Sequence, residues 1–96
     1  DFVRDRLASI SPVGYAGCCA AIRDMDCRLG LAKIKKPCLV IAGTDDLAAP
    51  PEHGKLIAAG ISGSEYQEIE NAAHLANIEQ EDVFNSHVLK FLKQKY

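Results

Sequence analysis

Phe2, Val3, Leu7 and Ile10 recur at helical spacing from the start of the chain, which predicts a helix already under way there. Asp1 stands where an initiator Met is expected, so the pattern reads as a chain entered inside a larger design. Ser11 followed by Pro12 predicts a helix start, because the hydroxyl can accept from an orphan amide and proline has no N–H to lose at the first helical position. The helix is expected to run to about Arg23. Gly14 and Gly17 weaken it and allow another backbone to approach closely. Leu29 to Ile34 adds a further short helical turn.

After Pro37 the run Cys38-Leu39-Val40-Ile41-Ala42, ended by Gly43, has the unbroken apolar character of a parallel strand covered on both faces. Gly43 to Pro51 holds two acids and two prolines and reads as a loop, which places Asp45 and Asp46 at the C-terminal end of that strand. Pro51 opens a helix that closes near Gly60. Glu65 to Ile69 is the second strand, with rougher alternation, and His74 falls in the loop after it. Val83, Phe84, Val88, Phe91 and Leu92 share one side of a final helix, whose last turns carry lysines where the dipole favours them. The expected fold is α/β: two parallel strands with a crossover helix and flanking helices. Repeats, linkers and low-complexity tracts are absent from the sequence.

This topology gives two loop residues a reason to meet. A right-handed strand–helix–strand crossover of about 30 residues returns the chain to the same end of the sheet. Neighbouring strands lie about 4.8 Å apart, so a carboxylate after the first and an imidazole after the second can share a hydrogen bond. Open α/β sheets place their sites at these carboxyl ends. Asp46 and His74 are the candidate pair, although a loop Asp is often a turn residue and a lone His often has no chemical role.

Composition narrows the setting. The 96 residues are 48% hydrophobic and 25% charged, with net charge −2 and no long block of one sign, which favours neither nucleic acid nor an anionic membrane as partner. No apolar run approaches the roughly 18 to 20 residues that span a bilayer, and the N-terminus lacks a signal-peptide pattern. The expected compartment is the cytoplasm. Cys18, Cys19, Cys27 and Cys38 form no Cys-x-x-Cys pair and are expected to be reduced, buried thiols. No metal is expected, since Asp45, Asp46 and His74 lack a characteristic ligand spacing.

Gly43-Thr44-Asp45-Asp46 with Pro50-Pro51 resembles the acid loop of α/β-hydrolases, and Ala73-His74-Leu75-Ala76-Asn77-Ile78-Glu79-Gln80 resembles their histidine loop. Two longer stretches are more specific: Ser11 to Asp24 (SPVGYAGCCAAIRD) and Pro51-Glu52-His53-Gly54. Together they resemble the 3-oxoadipate enol-lactonase family, over nearly the whole chain. The resemblance implies the C-terminal part of an α/β-hydrolase, with residues 1–36 as the end of a cap and connecting helix and residues 37–96 as the last two strands and their helices. One departure is Glu81, where relatives often have a proline opening the last helix.

The resemblance also implies the roles. Asp46 would be the triad acid, three residues after Gly43, and its neighbour Asp45 would cap the turn. His74 would be the general base for a serine attacking a lactone carbonyl, a mechanism that requires no cofactor. Arg23 is a candidate for binding a substrate carboxylate, with pairing to Asp24 or Asp26 the competing reading. His53, after two prolines near a helix start, could touch substrate, with a solvated first-turn residue the favoured reading, and His87 reads as structural. Cys18 or Cys19 as nucleophile is disfavoured because both lie within a helix. No Gly-x-Ser-x-Gly elbow occurs in these residues, and in the family that elbow precedes the acid. The chain is therefore expected to be inactive alone. The competing readings are part of another α/β-hydrolase, an esterase or carbon–carbon bond hydrolase, or a non-catalytic assembly module. Association of like chains through an exposed strand edge or helix faces is also expected.

Overall fold

A computed structural model describes residues 1–96. Helices α1 (Phe2–Ala8) and α2 (Pro12–Asp24) lead into a 3-10 turn (Arg28–Lys33) and strand β1 (Leu39–Gly43). Helix α3 (Pro51–Gly60), strand β2 (Glu65–Ile69), the single turn α4 (Ala76–Glu79) and helix α5 (Glu81–Lys95) complete the chain. The helix starts follow local chemistry. Asp1 accepts from the amides of Val3 and Arg4 to begin α1, and Ser11 Oγ accepts from Gly14 N at 3.3 Å to begin α2.

β1 and β2 pair in parallel, from Leu39 opposite Glu65 to Gly43 opposite Ile69. Their register is fixed by the two faces. α3 settles on one face because residue 54 is glycine: a Cβ there would sit 3.0 Å from Tyr66 Cε2 and 3.4 Å from Ala42 Cβ. The Tyr66 hydroxyl approaches the Pro51 carbonyl and donates to Glu68 Oε1 at 2.9 Å, tying the start of α3 to β2. Burial, and then this carboxylate, push the phenol up to about 12. On the other face Ile41 and Phe84 pack against the buried trio Ile69, Ala72 and Ala76, so α5 lies against β2 and the start of the loop that follows it. The 3-10 turn leans on the far end of α3, with Leu31 against Gly60.

Three expectations need correction. Leu39 to Ala42 are half-buried rather than enclosed, because β1 has β2 on one side and no strand on the other. Cys18, Cys19 and Cys27 are free but exposed, and Cys38 is half-buried, because neither α2 nor the 3-10 turn that Cys27 precedes buries any residue and Cys38 leads into strand β1, uncovered on one side. For the same reason Gly17 has no atom within 4 Å of where a Cβ would stand, so it mediates no close backbone approach.

The open side of β1 has a definite donor set. Glu65 N donates to Cys38 O and Thr44 N to Ile69 O, and parallel alternation between these two bonds turns the polar groups of Val40 and Ala42 toward β2. The amides of Leu39, Ile41 and Gly43 therefore face away from it. That edge carries no charge or proline, the usual guards against strand addition. We expect the chain to self-associate by pairing this edge with its copy across a two-fold axis. Sedimentation equilibrium at micromolar concentration should show a dimer, weakened by Ile41→Pro, which removes an outward donor. A folded monomer at every concentration would refute the expectation, and a dimer insensitive to Ile41→Pro would place the interface on the helices.

Candidate active site

Because Gly43 stands opposite Ile69, the loops after β1 and β2 leave the sheet side by side, and they are stitched together before either reaches its chemical group. Thr44 N donates to Ile69 O at 3.0 Å and Asp45 N to Ala72 O at 2.9 Å. The contact demands glycine at position 43, since a Cβ there would run into the backbone oxygens of Ala72 and Ala73. Asn71 turns the second loop with φ +58°, a left-handed conformation that asparagine tolerates better than most residues.

Asp46 follows a tight turn in which its own amide donates to Gly43 O at 3.2 Å. Its Oδ1 accepts from Ala48 N and Ala49 N, both at 2.9 Å, and its Oδ2 lies 2.8 Å from His74 Nδ1. Asp46 itself, not Asp45, caps the turn. Asp45 is exposed, and its side chain meets only Thr44 Oγ1, at 3.5 Å. The Ala49 amide first, and the His74 ring second, hold the Asp46 carboxyl below the usual carboxylate range, against the opposing effect of burial.

An ionised carboxylate can only accept, so the Asp46 contact places the proton of a neutral His74 on Nδ1. The lone pair is then on Nε2, which has no hydrogen-bond partner in the chain. The His74 side chain is 66% exposed while that of Asp46 is 8% exposed, so the pair is anchored from below and open above. It borders a cleft of about 230 Å³, lined also by Val40, Ala42, His53, Ile57, Asn77 and Phe84. An imidazole fixed in this tautomer can take a proton from a hydroxyl or water at Nε2 while the carboxylate stabilises the resulting cation.

The other sequence candidates fall elsewhere. Arg23 Nε donates to Asp24 Oδ1 at 2.9 Å and its NH2 group to Asp24 Oδ2 at 3.0 Å, and Arg23 does not line the cleft. Asp26 pairs instead with Arg28, whose guanidinium brings its carboxyl down to about 2. His53 is exposed in the first turn of α3, as expected, and also borders the cleft. His87 is half-buried on α5, beside Leu39 and Gln67. Two polar residues given no separate role in the sequence brace the histidine loop. Glu79 Oε2 accepts from Ala73 N at 2.8 Å, and Gln80 Nε2 donates to Asn71 O at 3.1 Å. Their signal was an acid and an amide one helical turn beyond the loop histidine, a pattern with many bland explanations. No group of three or more metal-binding side chains is present, and no helix is long and apolar enough to cross a membrane.

No family model matches the chain, but individual proteins do. It is 38% identical over 88 residues to 3-oxoadipate enol-lactonase 2 of Acinetobacter baylyi, covering 92% of this chain and 33% of that protein. The crystal structure of the enol-lactonase from Burkholderia xenovorans LB400 superposes with a TM-score of 0.79 at 46% identity, over 83% of this chain and 30% of that one. The chain belongs to the α/β-hydrolases. A 2-hydroxy-6-oxononadienedioate/2-hydroxy-6-oxononatrienedioate hydrolase of Escherichia coli is 39% identical over 62 residues, covering 65% of this α/β-hydrolase chain and 22% of that protein. The chain spans about a third of the length of the first of these relatives.

Two outcomes follow from this geometry. Because folding lowers the Asp46 pKa, its contribution to stability is fully present above the unfolded value of about 4 and is lost as pH falls through the lower folded value. The difference in Tm between the parent and Asp46→Asn should therefore be largest near neutrality and shrink below about pH 4; a constant difference down to strongly acid pH would contradict it. Gly43→Ala should part the two loops and free His74 from Asp46, with a loss of roughly 1 to 3 kcal/mol typical of forced overpacking. Chemical denaturation and the His74 ring proton resonances would measure both effects, and an unperturbed variant would contradict the contact.

Proposed function

We propose that this chain supplies the acid and the base of a serine hydrolase that opens 3-oxoadipate enol-lactone. The observation that carries the proposal is the Asp46–His74 bond of 2.8 Å, with the second oxygen of Asp46 held by two amides. That arrangement is what a general base working at Nε2 needs from its orienting acid. The identity of 38% to an enol-lactonase over 92% of the chain supports the choice of substrate class.

In the proposed reaction a serine outside these residues attacks the lactone carbonyl while His74 Nε2 takes its proton. Asp46 holds the ring and stabilises the imidazolium as the carbonyl oxygen becomes an oxyanion. The tetrahedral intermediate collapses with cleavage of the ring C–O bond. The leaving group is an enolate that tautomerises to a ketone, so its departure asks less of acid catalysis than an ordinary alkoxide would. The departing enolate takes up the proton that His74 holds; neutral again, His74 takes a proton from the water that attacks the acyl-serine and returns it to the serine oxygen as the open acid leaves. The residues invoked need no metal or organic cofactor for these steps. A cytoplasmic setting belongs to the same reading, and the four free cysteines suit it.

A carbon–carbon bond hydrolase is the second reading, favoured by the 39% identity to the Escherichia coli hydrolase. Both readings use the same pair and differ in the electrophile. Under either reading Arg23 remains the proposed contact for a substrate carboxylate, its guanidinium being paired with Asp24 at the protein surface in this chain.

The 96 residues contain no Gly-x-Ser-x-Gly elbow, so the purified chain should not consume enol-lactone or simple esters at an enzymatic rate. Loss of enol-lactone absorbance that disappeared in both Asp46→Ala and His74→Ala would overturn that expectation. In a serine hydrolase carrying this segment, His74→Ala should lower kcat by about 10⁴-fold or more while leaving the fold in place. Retained turnover there would refute the role of His74, and preference for a carbon–carbon substrate over the lactone would select the second reading.

A further inference from the structure

The residues that hold His74 at Asp46 extend beyond the pair itself. His74 is largely exposed, so packing around its ring does not fix it; its backbone must. The peptide units just before it are gripped from two directions. On the β1 side, Ala72 O accepts from Asp45 N at 2.9 Å, and the Ala72 and Ala73 oxygens lie against Gly43 where no side chain fits. On the α4 side, Ala73 N donates to Glu79 Oε2 at 2.8 Å. The Glu79 carboxylate reaches back six residues to the amide adjacent to the histidine. It does so from a single helical turn whose start is fixed by Ile78 N and Glu79 N donating to Leu75 O, both at 2.9 Å. Next to it Gln80 Nε2 holds Asn71 O at 3.1 Å, where the backbone is left-handed.

We propose that Glu79 is a positioning residue for His74: its carboxylate fixes the Ala73 peptide and thereby aims the imidazole at Asp46. The inference rests on the reading of Asp46 and His74 as an acid–base pair, but it concerns the assembly of that pair and not the reaction. A charge-assisted bond to a backbone amide is among the stronger hydrogen bonds, and this one acts on the peptide unit next to an exposed ring that packing does not hold. Without it the Ala73 N–H turns to water, the loop gains freedom between Asn71 and Leu75, and the fraction of chains with His74 on Asp46 falls.

The test uses the full chain and reads the pair directly by NMR. In the parent, the Ala73 amide should be protected from hydrogen exchange and the His74 Nδ1 proton should give a downfield resonance. In Glu79→Ala the Ala73 amide should exchange at least about 10-fold faster, the magnitude expected for a lost bond to a charged acceptor. The Nδ1 resonance should broaden or vanish, and the Asp46 titration should move up toward that of an ordinary carboxyl as its histidine partner departs. Glu79→Gln keeps an acceptor at the same reach and should restore most of the Ala73 protection and the Nδ1 resonance. A merely structural glutamate would leave the Asp46 titration unmoved once circular dichroism showed Glu79→Ala to be folded, and that result would overturn the proposal. So would an unprotected Ala73 amide in the parent, which decides the matter even if Glu79→Ala fails to fold. Failure of Glu79→Gln to rescue would likewise remove the acceptor argument. None of these readouts depends on turnover, so they stand apart from the substrate reading: an intact clamp in a segment that supports no lactone hydrolysis would defeat only the latter.

Discussion

Most of the order at the functional end of the sheet depends on the abutment of two loops at Gly43. Where β1 ends, its backbone passes so close to Ala72 and Ala73 that only a hydrogen atom fits between them. From that point Thr44 and Asp45 donate across to the second loop, and Asp46 is delivered beneath His74. Remove the close approach and the cross-loop bonds lengthen together, since they share the same few backbone atoms. The chemistry of the pair is thus set by sterics at a residue that takes no part in it.

Asp46 illustrates how one carboxylate can serve local and distant structure at once. One oxygen closes the turn onto the amides of Ala48 and Ala49, and the other faces an imidazole 28 positions away. The two uses reinforce each other, because each donor stabilises the charged form and the charged form is the better acceptor for both. This explains why the acid is nearly buried without being neutralised, and why the histidine can remain open to the cleft.

Much of this was legible in the residues. The second strand was read at Glu65 to Ile69, where it is observed, and the first a residue early, ending at Ala42 instead of Gly43. Ser11-Pro12 and Pro51 announced helix starts by their capping chemistry. The Asp46–His74 meeting followed from crossover topology, and the resemblance to enol-lactonases chose Asp46 over Asp45. Other features were hidden because they belong to tertiary packing. Apolar character at Cys38 to Ala42 says that a strand wants covering, not whether a neighbour covers it, and here the strand stays half-buried. Cys18 and Cys19 look like core residues by type, yet burial needs a second surface, which α2 does not find. The brace by Glu79 is a contact between a side chain and a backbone amide that no periodicity or composition announces.

The span of chain that builds the pair has a bearing on how it forms. Every hydrogen bond that fixes Asp46 and His74 lies between Gly43 and Gln80, the crossover helix, the second strand and one turn beyond, while Ile41 and Phe84 pack against the same loop from outside that span. Closing a loop of that size has an entropic cost that rises only slowly with length, and the crossover helix shortens the effective search further. The bonds that bring the acid and the base into register are therefore all closed within one short stretch of chain. Whatever completes a site here meets an acid and a base that already hold each other, with the free face of the histidine turned outward.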